Sequence, residues 1–186
     1  MVSRLLSLII SFMFLNQAFA VKDDVFLEEV TGVVKLNFLD GSIYKGQVKE
    51  CFIGLTKKTC MEGLGVYDFK AGSKYLGQFK NNKPNGNGVF VYEDGQSYKG
   101  SFKDGVLNGK GIMTYPDGRR YEGDYKNNMR NGYGIMTYQD SGKYEEGSIY
   151  EGEWSDDKRN GQGVMIYSSD GRRLKGEFKD NVFISI

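Results

Sequence analysis

From residue 32 onward, apolar and polar positions alternate in short runs. Two patterns recur: Tyr-x-Gly-x-aromatic, as in Tyr75–Phe79, and Gly-x-Gly-x-large-x-aromatic, as in Gly86–Tyr92. An apolar residue at every second position puts one side of each run against a core and the other toward solvent, which is the period of a strand. Polar stretches rich in Asn, Asp and Gly separate the runs. Asn85-Gly86, Asn108-Gly109, Asn131-Gly132 and Asn160-Gly161 predict one set of chain reversals; Asp94-Gly95, Asp117-Gly118 and Asp170-Gly171 predict the other. Both dipeptides tolerate the positive φ that tight turns need.

The runs are also periodic. Tyr75, Tyr98 and Tyr121 open successive segments of the same form, YLGQFK, YKGSFK and YEGDYK, at a spacing of twenty-three residues. A fourth such unit opens at Tyr150, and with insertions allowed an earlier one opens at Tyr44 and a partial one at Leu174. Gly32 precedes Tyr44 by the same spacing that separates Gly86 from Tyr98, so residues 32–43 read as the second half of an N-terminal unit. An isolated two-stranded hairpin is at best marginal in water, so units of this size must stack. Stacking aligns equivalent positions into columns. The first is Tyr44, Tyr75, Tyr98, Tyr121, Tyr150 and Leu174. The second is Val48, Phe79, Phe102, Tyr125, Trp154 and Phe178, and the third Phe38, Phe69, Tyr92, Tyr115, Tyr138 and Tyr167. All three are expected to be core.

A file of glycines, Gly46, Gly77, Gly100, Gly123, Gly152 and Gly176, runs between the first two columns. Glycine inside a strand weakens it unless something bulky lies over the backbone, so the flanking rings are expected to fold over this file. A second file, Gly65, Gly88, Gly111, Gly134 and Gly163, implies another close approach or a tight bend.

Tyr-x-Gly-x-aromatic, Asn-Gly-x-Gly and Tyr-x-Asp-Gly at this period resemble the membrane occupation and recognition nexus, or MORN, repeat. The resemblance covers nearly everything after Thr31. It implies an all-β fold, an elongated and twisted antiparallel sheet of stacked hairpins. It further implies a scaffold that often self-associates and is sometimes credited with binding acidic phospholipids.

Three places depart from the repeat. Between the strands of the first unit lies CFIGLTKKTC, bracketed by Cys51 and Cys60. A disulfide between them would pin the ends of the longer loop and contribute roughly 2.5–3 kcal/mol in the chain-entropy description. A metal site is the weaker alternative, since two thiols without histidine leave a tetrahedral shell half filled. Phe52, Ile53 and Leu55 beside Lys57 and Lys58 form either a protruding partner contact or a tolerated insertion folded onto the sheet. A second insertion, DSGKYEEGSI, offers Tyr144 and Tyr150 as rival strand starts. Tyr150 is preferred because Gly152 and Trp154 complete its pattern. The last unit stops after its first strand and ends in Val182, Phe183, Ile184 and Ile186, an apolar tail that either caps the array or pairs with a second chain.

Composition narrows the chemistry. The chain contains no histidine, so neither Ser-His-Asp nor Cys-His catalysis can be assembled, and an enzyme is not expected. Glu122, Asp124, Glu151 and Glu153 share the face opposite the tyrosine column, where carboxylates could act on a glycosidic bond but ordinarily form a solvated surface. No cofactor is implied. Lys49, Lys80, Lys103 and Lys126 follow the second aromatic column and form a candidate anion contact, offset by Asp104, Asp156, Asp157 and Asp180. Nucleic acid is disfavoured, because the aromatics that would stack on bases are committed to the ladders.

The first twenty residues combine Arg4, an apolar run from Leu5 to Leu15 and Ala18-Phe19-Ala20, the layout of a signal peptide. Cleavage after Ala20 would leave residues 21–31 as a lead-in to a repeat array at 32–186; retention as an anchor is the alternative. Removing Arg4 from 25 Lys and Arg balances the 24 Asp and Glu, so no net charge steers the mature chain toward nucleic acid. Export would put both cysteines in an oxidising compartment. The lack of an Asn-x-Ser/Thr sequon favours a bacterial periplasm over a eukaryotic secretory route. The expected partner is another protein or a second copy, a homodimer being one form of this; a membrane surface or envelope glycan is the alternative.

Overall fold

A computed structural model describes residues 33–53, 55–138 and 147–185; the signal-peptide reading, the lead-in, Tyr144 and Ile186 lie outside the described residues. Among the described residues the array is a single open sheet of thirteen strands in sequence order. They are β1 (Val33–Asn37), β2 (Ile43–Ile53), β3 (Thr56–Asp68), β4 (Lys74–Lys80), β5 (Lys83–Val91), β6 (Ser97–Lys103), β7 (Val106–Thr114), β8 (Arg120–Lys126), β9 (Met129–Thr137), β10 (Ile149–Ser155), β11 (Lys158–Ile166), β12 (Arg173–Lys179) and β13 (Val182–Ser185). From β2 to β13 each strand pairs antiparallel with the next. Among the described residues no helix is long and apolar enough to cross a membrane.

The two glycine files prove to be one line. Gly77 lies opposite Gly88 in β4–β5, Gly88 opposite Gly100 in β5–β6, Gly100 opposite Gly111, and Gly111 opposite Gly123. Over this line lies each first-column tyrosine, fully buried at Tyr44, Tyr75, Tyr98, Tyr121 and Tyr150. A Cβ built at Gly123 would sit 2.5 Å from both the Gly134 Cα and the Tyr121 hydroxyl. Each ring is held down by its hydroxyl, which donates to the carbonyl three residues ahead: Tyr75 to Gln78 at 2.8 Å, Tyr121 to Asp124 at 3.1 Å and Tyr150 to Glu153 at 2.9 Å.

The second column wedges between these tyrosines. Phe79 stands edge-on to Tyr44 and Tyr75 at 5.1 and 5.0 Å, and Trp154 does the same to Tyr121 and Tyr150 at 5.3 Å. The seam therefore alternates a first-column tyrosine with Phe79, Phe102, Tyr125, Trp154 and Phe178 in turn, and each T-shaped pair contributes about 0.5–1.5 kcal/mol beyond its buried area. Met113, Met136 and Met165, cross-strand neighbours of the tyrosines on the same face, are buried and belong to the core.

The third column departs from expectation. Phe38 and Phe69 are exposed, and Tyr92, Tyr115, Tyr138 and Tyr167 are only half-buried, packed against the side of the core. These residues lie where strands end and the chain turns, so no neighbouring hairpin covers their outer faces.

The reversals inside the hairpins also fall elsewhere than at Asn-Gly. They are the two-residue turns Asn81-Asn82, Asp104-Gly105, Asn127-Asn128, Asp156-Asp157 and Asp180-Asn181, with both residues at positive φ. Such turns match the right-handed twist of the flanking strands. Gly86, Gly109, Gly132 and Gly161 keep positive φ, but inside bulged strands: the register slips between Gly77 and Phe79 as Asn85–Asn87 pass Gln78. Gln78 repairs the ladder, its side-chain oxygen accepting from Asn87 N at 2.8 Å; Asp124 and Glu153 repeat the contact with Tyr133 N and Gln162 N. The Asp-Gly turns fall where expected, with Asp94, Asp117 and Asp170 each accepting from the backbone N–H two residues on.

Successive hairpins are latched at the inner turns. Asn82 N donates to Met61 O while Met61 N donates to the Asn82 side chain, and Asn128 makes the same pair with Leu107, Asp157 with Arg130 and Asn181 with Arg159. In one repeat the facing residue is Pro84, which has no N–H, and there the turn residue is Gly105, which has no acceptor to offer.

Candidate functional site

Three surfaces carry the residues singled out in the sequence. The first is an arm. β2 and β3 pair beyond the sheet as far as Ile53 and Thr56, and Cys51 and Cys60 form a disulfide across them with Cα atoms 5.9 Å apart. The inserted segment is thus a braced hairpin rather than a loop folded onto the sheet. Phe52 and Leu55 are exposed, Lys57 and Lys58 are exposed beside them, and Lys57 pairs with Glu50 at 2.6 Å. Cys60 is buried, with Asn82 Nδ2 donating to its sulfur at 3.0 Å, so the arm's base is fixed to the next hairpin.

The second surface is the C-terminal edge. The chain does not stop after one strand of its last unit: it turns at Asp180-Asn181 and returns as β13, with Phe178 opposite Phe183 at 5.3 Å. Phe183 closes the aromatic seam and is a cap. Val182 and Ile184 point the other way, 60% and 56% exposed, on a strand with no strand beyond it among the described residues.

The third is the lysine row. Lys80, Lys103 and Lys126 are exposed at the ends of β4, β6 and β8, and Lys49 pairs with Glu62 at 3.0 Å. The expected neutralisation by aspartates is only partial: Asp157 bonds Arg130 and Asp180 bonds Lys158, so these acids bind the preceding hairpin. The four carboxylates on the opposite face are likewise engaged. Asp124 pairs with Lys110 at 2.8 Å, Glu122 with Arg120 at 2.7 Å, and Glu151 accepts from the Tyr133 hydroxyl at 2.9 Å.

A family model for the MORN repeat matches residues 61–74, 75–97, 98–119, 121–143 and 150–172. The chain belongs to the MORN repeat family. MORN repeats are associated in general with protein or membrane-lipid interaction. The matched stretch begins at Met61, one residue past Cys60 in β3, so the disulfide arm and the β12–β13 cap both lie outside it. None of the curated proteins matches the chain.

One feature of this site escaped sequence reasoning. Arg130 and Arg159 occupy the position held by Leu107 in an earlier repeat, and their guanidinium groups lie over the seam, Arg130 at 4.4 Å from the Trp154 ring and Arg159 at 5.7 Å from Tyr150. The spacing from each Asn-Gly was visible, but a charged residue at a core-facing position reads as solvated until the ring beneath it is placed.

Proposed function

We propose that this MORN sheet is an exported, non-enzymatic scaffold that binds other proteins and pairs with a second copy of itself. What supports the reading is the β13 edge, where apolar side chains flank backbone groups that no other strand among the described residues pairs with. Natural sheets ordinarily blunt such an edge with charge, proline or a covering element. Two copies joined β13 to β13 would form a closed, two-fold pair and leave no edge at that end. The export half of the reading rests on the first twenty residues and on a disulfide that an oxidising compartment would sustain. N-terminal sequencing of the protein from its own compartment is expected to begin at Val21; a chain beginning at Met1 contradicts it.

Static light scattering of the full chain over a range of concentrations tests the pairing. A mass that reaches twice that of the chain supports it, and a monomer at every concentration refutes it. The exposed lysine row supports a second reading, a peripheral module for an anionic surface. Binding to vesicles of anionic lipid that collapses with added salt would favour that reading, whereas an apolar edge contact persists in salt.

A further inference from the structure

Leu39 and Leu55 are the most exposed large hydrophobic residues among those described, at 111% and 103%. They stand at opposite ends of β2: Leu39 in the turn that leads into it, Leu55 just past its far end at the tip of the arm. Each sits in a patch of its own. Around Leu39 lie exposed Phe38 and Phe69, continuous with Phe90 and Tyr92 through ring contacts of 5.5 and 4.5 Å. Exposed Asp40, Glu93 and Asp94 rim this ledge, with Lys70 the cation among them. Around Leu55 lie Phe52 and, opposite it across β2–β3, Lys57 paired with Glu50 at 2.6 Å, while Lys58 lies on the other side of the strand. One patch is aromatic and acidic on balance; the other is apolar and, with Glu50 offsetting one of its two lysines, positive by one charge.

The two cannot meet within one chain. Strand residues rise about 3.3 Å each, so the length of β2 holds arm and ledge some 30 Å apart. The disulfide and the extended β2–β3 pairing keep the arm from folding back. We propose that the arm of one copy docks on the Phe38–Phe69–Tyr92 ledge of a second copy, Leu55 and Phe52 covering the rings while the net positive charge of the arm tip lies against Glu93 and Asp94. The contact extends the self-association proposed above and does not use β13. Edge pairing closes after two copies, whereas arm on ledge joins different surfaces and links pairs into larger assemblies.

The test places a benzophenone side chain at position 55 of the full, oxidised chain and maps photo-crosslinks by mass spectrometry, using isotope-labelled and unlabelled copies to identify those between chains. Crosslinks between chains to residues 38–40 or 92–94 are expected. The variant Lys57→Glu/Lys58→Glu should lower their yield at least tenfold, as should Glu93→Lys/Asp94→Asn, in which Asn retains an oxygen for the Gln96 N–H. Mixing the two variants, each carrying the probe, should restore them, because each arm then meets a ledge of opposite charge. Circular dichroism on each variant guards against simple misfolding. Crosslinks confined to one chain, or a yield indifferent to both charge reversals, would overturn the proposal. So would variants that remain folded and fail to recover when mixed. A chain that forms pairs in light scattering and shows no such crosslink leaves edge pairing standing and removes the arm contact alone; crosslinks between chains whose light-scattering mass is unchanged by loss of β13 leave the arm contact standing and remove edge pairing.

Discussion

The seam and the ledge are built from the same residue types on the same face of one sheet, and they differ in what lies above them. In the seam a tyrosine lies flat on glycines and is roofed by the aromatic ring of the next hairpin, so exposure falls to zero at Tyr75 and Tyr121. At the ledge, two or three residues further along, the roof is missing and the same kind of ring is half in water. Burial here is a property of stacking rather than of the residue. The seam contributes stability and tolerates little change, while the ledge is free to vary and to bind.

Variants should separate the two. The largest effect is expected at Gly123, where a valine would meet backbone as well as the Tyr121 ring. Gly123→Val should cost about 3 kcal/mol, at the upper end for overpacking, and lower the melting temperature by roughly 10 °C. Strand propensity alone would predict a neutral or favourable change.

The latch comes next. Asn128→Gly keeps the positive φ of the turn but strips the acceptor from Leu107 N, and should cost about 1–2 kcal/mol in denaturant unfolding. Its counterpart Gly105→Asn should gain nothing, since Pro84 has no N–H to satisfy.

Tyr125 then sharpens the comparison by changing sign. It takes the place that phenylalanine holds at Phe79 and Phe102, and its buried hydroxyl has no hydrogen-bond partner among the described residues. Tyr125→Phe should therefore stabilise, by about 1 kcal/mol, read as a rise in melting temperature.

Alkaline titration distinguishes the regions without mutation. Burial pushes the phenols of Tyr98 and Tyr150 up to about 12, and those of Tyr44, Tyr75 and Tyr121 upward as well. A raised phenol pKa stabilises the fold fully below its ordinary value near 10 and loses that contribution as pH rises toward the folded value. Stability should be flat below pH 10 and fall between 10 and 12, with phenolate absorbance from the seam appearing only as the sheet unfolds. The smallest effect belongs to the ledge: Tyr92→Ala, on a half-buried ring, should cost about 1 kcal/mol or less, appreciably less than Gly123→Val.

Much of this was legible before the structure. The period, the strand alternation and the cover over the glycine line follow from residues that recur at fixed spacing, because only glycine leaves room for a ring lying on a strand. The Cys51–Cys60 bridge was legible for a different reason, two cysteines bracketing one insertion. The inner turns were not, since Asn81-Asn82 and Asn85-Gly86 both tolerate positive φ and both lie in polar sequence. What distinguishes them is the alternation resuming at Pro84, Leu107 and Arg130, and that column is too varied in chemistry to announce itself. The exposure of Phe38 and Phe69 was hidden because a column of aromatics reads as core whether or not anything covers it. The return of the chain as β13 was masked by the brevity of the final unit.

On the proposed reading this sheet works by association through what its seam leaves uncovered, with β13 as the strongest such contact. Sedimentation velocity on the chain lacking Val182–Ile186, compared with the full chain at low micromolar concentration, addresses it most directly. The full chain should sediment as a pair and the shortened one as a folded monomer with unchanged far-ultraviolet spectrum. A shortened chain that still pairs as tightly as the full one would contradict it.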